Sequence, residues 1–165
     1  MSTQNTALFQ HQTDQFVRDA GGFFRFQRGA ADELAGGRLP GNAPGQFNLP
    51  HSICIDYQNR VWVCDRENNR LQVFDVQGKP LAQYPGFLRP TGIAIGPDQA
   101  IYICELEGRI SIINLQGEVL SRWGEHGHAP GTEFFGPHGI CVDSRGDLYV
   151  GEVLDGRRLQ KFVKV

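Results

Sequence analysis

The stretch Leu49–Asp56 reads LPHSICID, and the chain returns to the same form twice, as RPTGIAIG from Arg89 and GPHGICVD from Gly136. Aligning the three on Pro50, Pro90 and Pro137 brings the following residues into register. Twelve positions after each proline stands an aromatic residue flanked by aliphatics, Trp62 in VWVCD, Tyr102 in IYICE and Tyr149 in LYVGE. Fifteen positions after it stands an acid, Asp65, Glu105 or Glu152, and a basic residue soon follows at Arg70, Arg109, and Arg157 or Arg158. Coincidence at several fixed offsets marks a structural repeat.

Each unit holds further apolar runs. LQVFDV, ISIINL and LQKFVKV supply a third, and PLAQY and EVLSRW a fourth in the first two units, after Gly78 and Gly117. Twenty-one glycines and nine prolines punctuate these runs, as expected of short strands joined by turns. Four short strands per unit predict an all-β fold of about three β-propeller blades. The first strand of each unit alternates large with small residues. Ile53 and Ile55 share one face and Ser52 and Cys54 the other; Gly92 with Ala94, and Gly139 with Cys141, take the small positions in the later units. Small residues suit the crowded innermost strand.

The repeats divide the chain into blades at 44–84, 85–123 and 130–165, behind a weakly patterned segment at 1–43 with strand-forming residues near 22–27 in GGFFRFQRG. Three blades are half of a six-bladed ring, so two apolar faces are left open, and these are candidate surfaces for self-association. The third unit ends after its third run and is expected to lack its outermost strand.

Sixteen Lys and Arg against 18 Asp and Glu give a net charge of −2, without the basic footprint that nucleic acid or anionic lipid requires. No apolar run reaches the roughly 18 residues of a membrane span, and residues 1–20 lack the apolar centre of a secretory signal, so a soluble, cytoplasmic chain is the expectation. Cys54, Cys64, Cys104 and Cys141 form no C-x-x-C pair and sit in alternating apolar runs, which reads as buried free thiols ahead of a disulfide or a metal site.

His51 and His138 follow the equivalent prolines of units one and three, with Thr91 between them in unit two. That position opens the innermost strand at one mouth of the channel. Histidines from alternate blades would converge on the axis, where three imidazoles leave zinc one open position. Two alone need a third ligand from elsewhere, and imidazoles bonded to backbone carbonyls at a blade junction are the competing reading. His126 and His128, in WGEHGHAPG, read as solvated loop residues.

PGQFNLPHS (44–52), CDRENNRLQVF (64–74) and GPHGICVDSRGDLYVGE (136–152) resemble the NHL propellers, and among them the peptidyl-α-hydroxyglycine α-amidating lyases, over 44–165. The resemblance implies His51 and His138 as zinc ligands and Arg66 as an active-site residue that anchors a substrate carboxylate. The implied reaction cleaves a peptidyl-α-hydroxyglycine into peptide amide and glyoxylate. Three departures accompany it. The third zinc histidine and the blade carrying the family's tyrosine have no counterpart from Pro44 onward; Gly139 replaces an aspartate that resembles a calcium ligand; and the residues before Gly29 do not continue the repeat. The alternative is a non-catalytic NHL module that binds peptide or protein, or a truncated remnant of such a lyase.

Overall fold

The computed structural model describes residues 41–165, so the expected strand near 22–27 lies outside the described residues. Strands β1 (Pro50–Ile55), β2 (Val61–Asp65), β3 (Arg70–Phe74) and β4 (Pro80–Pro85) form one antiparallel sheet in sequential order. A second sheet repeats the order with β5 (Pro90–Ile95), β6 (Ile101–Glu105), β7 (Arg109–Ile113) and β8 (Val119–Trp123). Two short strands, β9 (Glu125–His126) and β10 (Glu133–Phe134), then pair in parallel. The third sheet holds β11 (Pro137–Val142), β12 (Leu148–Glu152) and β13 (Leu159–Phe162), with no fourth strand among the described residues. The chain is all-β, and its sheets are propeller blades.

The turns repeat as faithfully as the strands. Between first and second strand a left-handed residue closes each hairpin, at Asn59, Gln99 and Gly146, nine positions after the three prolines. A type I turn followed by such a residue sets strand register in a short hairpin. Asp56 and Asp143 stabilise their turns by accepting backbone N–H bonds from Gln58 and Arg60, and from Arg145 and Asp147.

The blades stack face to face. Between the first and second, Trp62, Cys64, Leu71 and Val73 meet Ile93, Ile101, Ile103 and Ile113. Between the second and third, Tyr102, Cys104 and Ile110 meet Leu148 and Val150, with Ile140 packed alongside. Each blade thus turns its Ile-bearing face toward the preceding blade and its small and aromatic residues toward the next. A phenylalanine three positions before the proline plugs each seam. Phe87 is buried in the first core and Phe134 in the second, whereas Phe47 lies half-buried against Val61, Val63 and Phe74 on the open side of the first blade.

A carboxylate clamp fixes the entry to every blade. Asp65, Glu105 and Glu152 are buried at the ends of their strands and pair with Arg70, Arg109 and Arg158 at 2.7, 2.7 and 2.8 Å. Each also accepts the backbone N–H of the residue two before the proline: Asn48 at 2.7 Å, Leu88 at 2.5 Å and Phe135 at 2.7 Å. A third partner completes each set, Gln72, Ser111 and Gln160. Charge-assisted bonds of this kind satisfy a buried carboxylate that would otherwise be strongly destabilising. In the third blade Arg158 takes the clamp, while Arg157 faces solvent beside Asp155.

The cysteines depart from expectation. All four are free, and Cys64 and Cys104 are buried, but Cys54 is half-buried and Cys141 is exposed. Cys141 sits on the face of the third blade that no further blade of the described chain covers.

Candidate functional site

The clamp leads straight to the residues at the channel mouth. Before each proline the backbone turns left-handed, at Leu49 (φ 61°), Arg89 (φ 53°) and Gly136 (φ 65°). The strand then slips register between Pro50 and Ile53, Pro90 and Gly92, and Pro137 and Gly139. Such irregularities re-aim the local side chain, and the residue they re-aim is His51, Thr91 or His138.

These three residues connect consecutive blades. The His51 ring nitrogen Nδ1 lies 2.6 Å from the Thr91 carbonyl oxygen, and the Thr91 hydroxyl donates to the Pro137 carbonyl at 2.7 Å. A carbonyl oxygen can only accept, so Nδ1 is the donor in this bond. His51 and His138 meet with ring centroids 4.5 Å apart and ring planes at 83°. The two imidazoles therefore converge across the intervening blade, and at the same time His51 makes the carbonyl bond of the competing reading.

Electrostatics disfavours a positive charge on His138. Burial lowers the pKa of His138 below the ordinary histidine value, and the neighbouring His51 and Arg66 lower it further. Arg66 opens the short 3-10 turn Arg66–Asn68 after β2 and pairs with Glu67 at 2.8 Å. Glu67 also binds Arg89 at 2.9 Å, and Arg89 reaches Glu107 at 3.3 Å. Bonds from Arg89 and then Arg66 hold the Glu67 carboxyl below the usual carboxylate range. A run of alternating charge, Arg66, Glu67, Arg89 and Glu107, thus leads away from the histidine pair, with Arg66 nearest His138. The motif reading singled out Arg66 but missed the rest. Glu67 and Glu107 share one repeat offset and Arg89 immediately precedes Pro90, so the signal was present in the register.

Among the described residues no three His, Cys, Asp or Glu side chains come together as a metal site. A catalytic zinc needs three protein ligands, so the donor set at His51 and His138 falls one short. His126 and His128 are exposed as expected, yet they are not simply solvated. Both rings lie against Phe135, at 4.6 and 4.7 Å between centroids.

Residues 47–74 match the NHL repeat model. The chain carries an NHL repeat. It is similar to human NHL repeat-containing protein 3, with 31% identity over 133 residues that cover 74% of this chain and 38% of that protein. It is also similar to the Drosophila melanogaster protein brain tumor, with 28% identity over 66% of this chain and 11% of that protein. The chain thus spans well under two thirds of either relative. Among solved structures, virginiamycin B lyase of Staphylococcus aureus superposes with a TM-score of 0.56 at 20% identity, over 75% of this chain and 43% of that one. A protein of unknown function from Bacteroides thetaiotaomicron gives 0.60 at 18% identity, over 74% and 36%. At these identities the structures report the propeller fold alone. No helix among the described residues is long and apolar enough to cross a membrane.

Proposed function

We propose that the chain is a non-catalytic NHL-repeat module whose channel-mouth face binds a peptide or protein partner. One observation carries this reading: a half-exposed run of alternating charge starts at Arg66, beside a histidine pair that has two, not three, donors among the described residues of one chain. Arg66 and Arg89 offer planar donors for carboxylates or backbone carbonyls, and Glu67 and Glu107 offer acceptors for cations and amides. NHL-repeat proteins among the relatives support the same reading.

A second reading has its own support. The convergence of His51 and His138, with Arg66 beside them, is the arrangement the amidating lyases imply, in which zinc would polarise the substrate hydroxyl. The described residues do not complete that site, and Gly139 offers no side-chain oxygen for calcium, so no chemical step follows from them.

The test is selection of a displayed peptide library on the immobilised chain, followed by calorimetric titration of the enriched peptides. Binding should weaken at least tenfold in the double variant Arg66→Glu, Arg89→Glu and be unchanged by Gln99→Lys at the opposite end of the blades. Failure to enrich any peptide whose binding depends on Arg66 or Arg89 would refute the proposal.

A further inference from the structure

The first and third blades each expose one half of an interface that the chain forms twice internally. In the second blade, Ile93 faces the first blade and is 7% exposed; its counterpart in the first blade, Ile53, is 62% exposed. On the other side of the interface, Leu71 and Ile110 are 0% exposed, and their counterpart Leu159 in the third blade is 70% exposed. Phe47 holds the register of the seam plugs Phe87 and Phe134, but among the described residues no blade precedes it.

We propose that a second copy of this chain docks head to tail, its third blade covering the open face of the first blade. The proposal continues an established interface: the Ile-bearing face receives the small and aromatic face, as it does between blades one and two and between blades two and three. Gly139, Cys141 and Gly151 supply small residues where the second blade has Gly92, Ala94 and Cys104. Lys161 is the one polar replacement, at the register of Ile112. Its ammonium reaches Asp147 at 2.8 Å and lies over the Tyr149 ring, so the charge is already paired at the edge and the stem remains on the face. The contact is heterologous, joining two different patches, and so makes a prediction that a symmetric patch-to-itself contact does not. It does not depend on what the channel mouth binds.

The experiment is light scattering of the full chain across a concentration series, with Ile55→Lys and Leu159→Glu as variants. Both side chains are mostly exposed, so the charges leave the blade itself intact, which circular dichroism verifies. The wild type should run at twice 18.4 kDa or more, and each variant alone should fall to 18.4 kDa. Mixing the two variants should restore the larger mass, because each retains the face the other has lost. A wild type that stays at 18.4 kDa at all concentrations overturns the proposal and leaves the face to a blade of another protein. An associating Leu159→Glu variant also overturns it, because the contact would then not use the third blade.

Discussion

Replacing Glu105 with alanine tests the clamp that positions the channel mouth. The carboxylate is fully buried and receives Arg109 through Nε at 3.1 Å and Nη2 at 2.7 Å, Ser111 at 2.5 Å and the Leu88 backbone N–H at 2.5 Å. Removing it leaves that N–H and the Ser111 hydroxyl without their acceptor and Arg109 without its counter-ion. Breaking a buried ion pair by deleting one partner costs about 3–5 kcal/mol. Arg109 keeps 23% of its side chain in solvent and a bond to the Gly86 carbonyl, which places the expected loss near the lower end, about 3 kcal/mol. Urea unfolding followed by tryptophan fluorescence reads this as a fall in midpoint at unchanged slope. The double variant Glu105→Ala, Arg109→Met should recover part of the loss, since the stranded guanidinium is then gone. A Glu105→Ala variant within about 0.5 kcal/mol of the wild type, the range of ordinary surface changes, would refute the clamp.

Three other outcomes follow from the same structure. Phe134→Ala, which removes a fully buried seam plug, should cost about 3–5 kcal/mol, whereas Phe47→Ala at the open seam should cost under half as much when measured in dilute solution. In the Leu159→Glu variant, whose third-blade face is left open, alkylation followed by mass spectrometry should modify Cys141 first and Cys64 and Cys104 only on unfolding, because both are fully buried and burial pushes the Cys104 thiol up to about 12. The depressed pKa of His138 means that the unfolded chain binds the proton more readily. Stability should therefore begin to fall as pH drops below about 6.5 and stop falling below the native pKa, and His138→Gln should remove this step while leaving the later acid loss from the depressed carboxyls of Glu152 and Asp147.

The blades were legible because a propeller repeats its chemistry at fixed offsets. Pro50, Pro90 and Pro137 set a register in which Trp62, Tyr102 and Tyr149 mark the second strand and Asp65, Glu105 and Glu152 mark its end. The convergence of His51 and His138 was legible from the same register, since alternate blades point equivalent residues at one axis. Other features were not. Nothing in local spacing says that Glu67 turns to Arg89, 22 residues away, or that Thr91 relays between the two histidine blades, because these contacts cross between sheets. The alternation that suggested four buried cysteines cannot tell a covered blade face from an open one, and Cys141 lies on an open one. Arg157 and Arg158 are adjacent in the chain, and only the path of the β12–β13 turn, with Leu154 and Arg157 both left-handed, selects Arg158 for the clamp.

The proposed role of the channel mouth is binding, with two histidine donors among the described residues where a catalytic zinc needs three. The most direct test is glyoxylate release from a peptidyl-α-hydroxyglycine by the full chain with zinc supplied, in parallel with its His51→Ala variant. Release at the uncatalysed rate is expected from both. Release that rises with protein concentration and vanishes in the His51→Ala variant would contradict it and establish the lyase reading.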